Sequence, residues 1–489
     1  MSIYKKFTKY VTLIGLINIT GQLKGIIVLP IITKLLGAMD FGIWTQLRVT
    51  VNLLTPFILL DLPGSIVRFL AAEKDKEEIQ EGVYSVLALV AAIASIVALF
   101  FIIFSSPISK FFQADAILIK IFSFVLIFEC INTVMLSVLE AFQEMKKYSA
   151  FIISQLIGEL LLIIGFILAG YGLYGVIISL LIIRLITFSF LFTFIFRRIG
   201  IKIPTFSPMK KYFYFSLPSL LGSISYWVVA AGDRYLIGIF LGVIFVGFYA
   251  PAYAIGSILT FFIIPPTFIL SIMLPKSFDE NKMDEVKSLL RYSLKYFLLI
   301  TIPSVFGLSI LSRQLLVIFS TSQIADNAYF ITPFIALSIL FYGIACFLFQ
   351  ILVLAKKTKI IGALWLLAAI LNLGLNILLI PRFGILAAAI TTLAAYLFVL
   401  MLAYYFSFKE FQFEIEWSFI AKSIIASVLM GFFIALLNPF GLFNVLLTII
   451  LAALIYSAII FLLKGVTKKE IIFFKDLIQL SVKIKSEKI

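Results

Sequence analysis

The chain alternates long apolar runs with short polar connections. The runs lie at about 11–33, 43–66, 83–104, 117–139, 150–170, 173–195, 213–232, 243–274, 293–311, 331–354, 361–380, 385–407, 418–438 and 443–463. Each is close to or above the roughly 20 residues an α-helix needs to cross about 30 Å of hydrocarbon. The pattern predicts fourteen transmembrane helices, helix 1 to helix 14 in chain order. Lys5, Lys6 and Lys9 precede the first run, which is longer than the apolar part of a cleaved signal peptide, so it reads as a retained helix. No connection exceeds about twenty residues. After Lys464 comes a basic tail in which Glu470–Ile478 could lie as an amphipathic helix on the inner membrane face or remain a partly ordered strand of charge.

Composition agrees with the runs. Of 489 residues, 63% are hydrophobic and 13% charged, against about 45–50% and about 25% in soluble domains. A soluble protein could not cover its surface from that charged fraction, so a soluble enzyme or a disordered scaffold is excluded. There is no histidine, which removes His-ligated metals, Ser-His-Asp triads and histidine pH switches. Cys130 and Cys346 fall far apart inside apolar runs and read as small buried hydrophobes rather than a disulfide. No metal site or cofactor is expected.

The net charge of +15 would suit a nucleic-acid surface in a soluble chain. Here it distributes by side. With the N-terminus inside, cytoplasmic segments carry 29 of the 39 Lys and Arg and outer connections six, Lys34, Lys110, Lys120, Arg234, Arg313 and Arg382. That bias sets the orientation, places both termini in the cytoplasm and removes nucleic acid as a partner. The other four, Lys24, Arg48, Arg184 and Lys295, lie within spans.

Two segments echo each other. Leu36-Gly37-x4-Gly42-Ile43-Trp44 follows helix 1, and Leu241-Gly242-x4-Gly247-Phe248-Tyr249 follows helix 7, an offset of 205. Tyr171-Gly172-Leu173-Tyr174-Gly175 matches Phe383-Gly384-Ile385-Leu386-Ala387 at an offset of 212, and Lys146-Lys147-Tyr148 resembles Lys357-Thr358-Lys359 more loosely. The common order predicts two six-helix lobes in parallel repeat around a central cavity, residues 1–207 and 208–407, followed by helices 13 and 14 (408–463) and the basic cytoplasmic tail (464–489).

Lys24-x5-Pro30-x6-Gly37-x4-Gly42 resembles the opening of bacterial polysaccharide repeat-unit flippases, the Wzx-like branch of the multidrug/oligosaccharidyl-lipid/polysaccharide exporter superfamily. Phe215-Ser216-Leu217-Pro218, Gly232-Asp233-Arg234-Tyr235-Leu236-Ile237-Gly238 and the segment through Tyr253 carry the same resemblance. It implies transfer of an undecaprenyl-diphosphate-linked oligosaccharide, an O-antigen or other surface-polysaccharide repeat unit, from the cytoplasmic to the outer leaflet of a bacterial inner membrane. Other polysaccharide assembly proteins are then possible partners.

The embedded charges speak independently of that likeness. A Lys, Arg or Asp at mid-span costs about 2.5–3.5 kcal/mol on insertion scales, so such groups face a cavity or a partner. Lys24, Arg48 and Arg184 are embedded cations and Glu129 and Glu159 embedded anions, all within the first lobe, whereas Lys295 is near enough to a helix end to snorkel. Three cations suit a diphosphate, Arg as a bidentate donor and Lys as a point charge. The alternative is that the five pair among themselves. Glu129 and Glu159 are also candidates for coupling to H⁺ or Na⁺, Glu159 sharing a helix face with Gln155 and Glu129 with Asn132. Asp233-Arg234, at the outer end of the helix 7 run, is a candidate gate or a static bridge. Gly21-x3-Gly25, beside Asn18, Gln22 and Lys24, reads as close helix packing or as the polar wall of a cavity. Tyr226 and Trp227 could stack on sugars or pack.

The expectation is an all-α polytopic membrane transporter working by alternating access in contact with membrane lipids, not an enzyme. A cation-coupled multidrug exporter is the nearest alternative, but a cationic-drug site favours an excess of carboxylates. A membrane-bound glycan transferase or ligase is another; the short loops and missing histidine count against it.

Overall fold

The computed structural model describes residues 3–466. The amphipathic segment expected from Glu470 and all but the start of the basic tail lie outside the described residues. Among the described residues there is no strand.

Each of the fourteen expected spans is helical. The first two share one helix, Ile3–Leu59, broken at Gly37, whose φ of 86° and ψ of −178° belong to no helix and suit a residue without Cβ. Helix 1 is the arm before Gly37 and helix 2 the arm after it. Helix 2 stops after Pro56, with Leu60 and Asp61 at positive φ, and resumes as Leu62–Leu70. Helices 3 to 7 are Lys76–Ile103, Ala116–Ala141, Met145–Leu168, Gly172–Ile199 and Met209–Leu241. Helix 8 is composite: Val243–Gly256, a 3₁₀ stretch Ser257–Phe262, and Ile264–Asp279. Pro265 and Pro266 lie at the start of its last part, where a missing N–H removes no helical bond. Helices 9 to 14 are Met283–Ile310, Ile331–Leu354, Thr358–Phe383, Ile385–Glu410, Trp417–Leu437 and Leu442–Leu462. Counting Thr12–Leu59 once, the described residues hold thirteen helices long and apolar enough to span a membrane, and dividing it at Gly37 gives fourteen.

Packing divides the chain into two units. The first is residues 1–252 with 319–328 and 359–395, and holds helices 1 to 7, the start of helix 8, helix 11 and the first part of helix 12. One core cluster joins Ile32, Trp44, Phe122, Ile163, Ile177 and Val243, and another joins Leu62, Val86, Leu126, Val138, Leu191 and Tyr212. The second unit is 253–318, 329–358 and the described residues from 396 to 466. There Gly343 brings helix 10 against Phe297 of helix 9, and the Ser423 and Tyr456 hydroxyls, 2.8 Å apart, tie helix 13 to helix 14.

The echoing segments have matching geometry. Gly242 breaks the chain between helices 7 and 8 with φ 98° and ψ 162°, as Gly37 does between helices 1 and 2. Helices 3 and 9 are each followed by an eight-residue helix, Ser105–Phe112 and Ser312–Phe319. Within the first unit the two segments also touch reciprocally. A Cβ on Gly42 would stand 2.3 Å from the Val243 carbonyl oxygen, and one on Gly247 would stand 1.9 Å from that of Ala38. Adding 205 to 38 and 42 gives 243 and 247, so the contacts 42–243 and 38–247 exchange under the offset. A two-fold exchange of equivalent segments produces that pattern.

Candidate functional site

Four of the five embedded charges form one chain across helices 1, 4, 5 and 6 of the first unit. Glu159 of helix 5 accepts from the Lys24 ammonium of helix 1 through Oε1 and, at 3.2 Å, from Arg184 Nη1 of helix 6 through Oε2. Arg184 Nε donates to Glu129 of helix 4. The Asn132 amide, one turn beyond Glu129, donates to the Arg184 carbonyl at 2.9 Å. Glu159 is the most enclosed, with 4% of its side chain exposed, against 11% for Lys24, 13% for Arg184 and 25% for Glu129. Two cations and two carboxylates close this chain at zero net charge.

Arg48 is left over. It lies on helix 2, is exposed, and makes no ion pair among the described residues. Its guanidinium rests 4.8 Å from the centre of the Trp44 ring. Trp44 is four residues earlier on the same face, so the stacking follows from helical spacing. The sequence grouped five charges; the tertiary structure sorts them into a neutral four and one open cation.

Asp233 and Arg234 occupy a second polar cluster of the same unit. Helix 7 continues to Leu241, so the pair stands roughly 10 Å inside the helix rather than at its outer end. Asp233 is completely buried. Its Oδ1 accepts from Arg234 Nη1 at 3.1 Å, and its Oδ2 from the Tyr249 hydroxyl of helix 8 at 2.5 Å. The Thr392 hydroxyl of helix 12 stands 3.5 Å from Oδ2. On helices 11 and 12, the Asn376 amide donates to Asn372 Oδ1 at 3.0 Å while Thr391 donates to Asn376 Oδ1. Gln46 of helix 2 donates to the Arg234 carbonyl at 2.7 Å, and Thr50 shares a hydrogen bond with the Tyr235 hydroxyl. The pair is thus neither solvated nor isolated: it ties helices 7, 8 and 12 together, with helix 2 attached at the next residue.

Three further expectations have definite placements. Gly21 makes only ordinary contact with Leu156, and a Cβ on Gly25 would meet nothing within 4 Å, so close packing is at Gly42 and Gly247 instead. Tyr226 stacks edge-on against Trp365 of helix 11 at 5.1 Å, and Trp227 lies 5.9 Å from Tyr235. Cys130 and Cys346 are free thiols. Residues that sequence reasoning passed over are Gln46, Thr50, Thr391 and Thr392, while Tyr249 enters it only for its place in the repeat. Hydroxyls and amides of this kind are common in apolar helices, where they bond back to the preceding turn, and carry no signal until a partner helix is known. Among the described residues no group of His, Cys, Asp and Glu could hold a metal ion.

A family model described as polysaccharide biosynthesis protein matches residues 7–272. A curated relative from Haloferax volcanii, described as a probable low-salt glycan biosynthesis flippase, Agl15, is 26% identical over 323 residues, 65% of this chain and 67% of that one. Among solved structures, the lipid II flippase MurJ in an inward closed conformation superposes with a TM-score of 0.72 at 19% identity, covering 96% of this chain and 100% of that one. An inward-facing multidrug resistance transporter of the MATE family gives 0.65 at 14% identity, covering 80% and 94%. At those identities the two structures establish the fold.

Proposed function

The chain belongs to the polysaccharide biosynthesis protein family, and on that premise we propose that it is a flippase for a lipid-linked oligosaccharide, with Arg48 as the cation that meets the substrate's phosphate. The carrying observation is the sorting of the five embedded charges: Lys24, Arg184, Glu129 and Glu159 neutralise one another, and Arg48 is the one of the five that is exposed and, among the described residues, without a carboxylate. A guanidinium offers two parallel N–H donors to a phosphate. Backing from the Trp44 ring restricts its rotamers at no cost in donors. The relative described as a glycan flippase supports the substrate class.

The substrate is an undecaprenyl-diphosphate-linked repeat unit of a surface polysaccharide, carried from the cytoplasmic to the outer leaflet of a bacterial inner membrane. Lobes 1–207 and 208–407 rock around a central cavity. Lys24 and Arg184, the other cations expected at the diphosphate, are held by Glu159 and Glu129, so the net positive charge of that region is that of Arg48. The reciprocal contact of Gly42 with Val243 and Gly247 with Ala38, latched by Gln46 on Arg234 and by Thr50 on Tyr235, is the gate. Glu129 and Glu159 are the candidates for a coupling H⁺ or Na⁺, and buried Asp233, paired with Arg234 and hydrogen-bonded by Tyr249, is a third carboxylate of the same kind. An anionic headgroup leaving a negative-inside cell is favoured by about 2.3 kcal/mol per charge per 100 mV, so the potential contributes as well.

The test is transfer of a fluorescent polyprenyl-diphosphate oligosaccharide in proteoliposomes. Arg48→Ala is expected to lower the rate at least tenfold, and Arg48→Lys to retain a larger part of it, at equal protein incorporation. An Arg48→Ala protein with the wild-type rate removes the reading. Export of a cationic drug without lipid transfer would establish the multidrug alternative.

A further inference from the structure

In the second unit, helix 9, the connection 411–416, the start of helix 13 and the end of helix 14 surround a cavity of about 370 Å³. Four cations and two carboxylates line it: Arg291, Lys295, Lys422 and Lys464, with Glu414 and Glu416. Both carboxylates are taken up by helix 9. Arg291 Nε and Nη1 donate to Glu416 and Glu414 at 2.8 and 2.5 Å, and Lys295 Nζ donates to Glu416 at 2.9 Å from over the Phe419 ring. Among the described residues, Lys422 reaches only the Lys464 carbonyl, at 3.4 Å, and neither Lys422 nor Lys464 pairs with a carboxylate. The cavity therefore holds two spare positive charges side by side.

Its surroundings are those of a membrane interface. Trp417 is 67% exposed at the rim, the position where an indole ring settles between headgroups and hydrocarbon. Within two turns of the cavity helices 13 and 14 expose Ile424, Ile425, Phe461 and Leu462. On the orientation favoured by the loop charges this end faces the cytoplasm, where anionic lipids attract basic clusters next to spans.

We propose that this cavity binds the phosphodiester of an anionic phospholipid, with Lys422 and Lys464 on the phosphate and the acyl chains along the exposed faces of helices 13 and 14. Arg291 and Lys295 serve as positioning residues: they fix Glu414 and Glu416 so that these do not compete for the two lysines. The ligand chemistry, anionic phosphate oxygens, is shared with soluble phosphate, and the lipid is distinguished from it by the apolar faces. Arg48 takes no part, so this site and the transport reading stand or fall separately.

The full-length protein in neutral detergent is titrated with phosphatidylglycerol, with phosphatidylcholine and with inorganic phosphate. Retained lipid is read by native mass spectrometry, and the thermal unfolding midpoint is followed in parallel. The expected result is saturable retention of phosphatidylglycerol with a raised midpoint and little response to phosphatidylcholine. Lys422→Gln with Lys464→Gln should weaken retention roughly tenfold or more. Lys422→Arg with Lys464→Arg should keep it, as should Arg197→Gln on the separate basic surface near Lys147 and Phe194. If the double glutamine variant does not fold, Lys464→Gln alone, at an exposed helix end, carries the test. Equal retention by the glutamine variants overturns the proposal. So does phosphatidylcholine bound as tightly as phosphatidylglycerol, or inorganic phosphate alone reproducing the full rise in midpoint.

Discussion

At the scale of single residues, the telling fact is which charge lacks a partner. Glu159 serves two cations at once, so its removal leaves Lys24 without a carboxylate and Arg184 with only Glu129. Breaking a buried ion pair on one side costs about 3–5 kcal/mol, mostly because a charge stays buried and unpaired. Glu159→Gln should therefore lower the unfolding midpoint in detergent sharply. Lys24→Met combined with Glu159→Gln should recover part of that loss, because one stranded cation is gone. An additive double variant would show that the two do not interact. Hydropathy alone picked out all five embedded charges, since a charged residue is conspicuous in an apolar run. It could not say that Arg48 stands apart, because that depends on which helices are neighbours.

At the scale of elements, four glycines set the geometry of helices 1, 2, 7 and 8. Gly37 and Gly242 turn the chain at positive φ, and Gly247 lets a backbone carbonyl approach to where a side chain would begin. Gly42 plays the same part on the opposite segment. A side chain at either crossing position must push the segments apart, at about 1–3 kcal/mol if the helices yield. Gly247→Val should raise, several-fold, the reaction of a cysteine placed at buried Thr50 with an impermeant thiol reagent, and Gly247→Ala should lie between. Unchanged labelling would dissociate the crossing from access. The glycine spacing was visible in the sequence as an echo. Its use as a contact was not, because a Gly-x4-Gly pair reads equally as a turn, and because Gly21 and Gly25 advertised packing that the fold places elsewhere.

At the scale of the whole molecule, membrane spanning rests on hydropathy, and direction of insertion rests on loop charge. Orientation predicts a simple labelling pattern on intact cells. In a background without Cys130 and Cys346, a cysteine at Phe440, in the exposed turn between helices 13 and 14, should react with an impermeant reagent. One at Lys356, after helix 10, should react only once the membrane is opened. The reverse pattern would invert the orientation and with it the side assigned to the lipid site.

The sequence by itself determined the class of solvent, the number of spans and the small set of charges that hydrocarbon does not tolerate. Those properties follow from local composition, because each span must satisfy its own backbone within the bilayer. It also exposed the repeat, since equivalent turns need equivalent glycines. Only the tertiary structure decided that Lys24, Glu159, Arg184 and Glu129 cancel while Arg48 does not. It likewise decided that Asp233 is buried among hydroxyls from helices 8 and 12. Electrostatic pairing falls off over a few ångströms, and residues 135 positions apart, such as Lys24 and Glu159, reach that range only through helix packing.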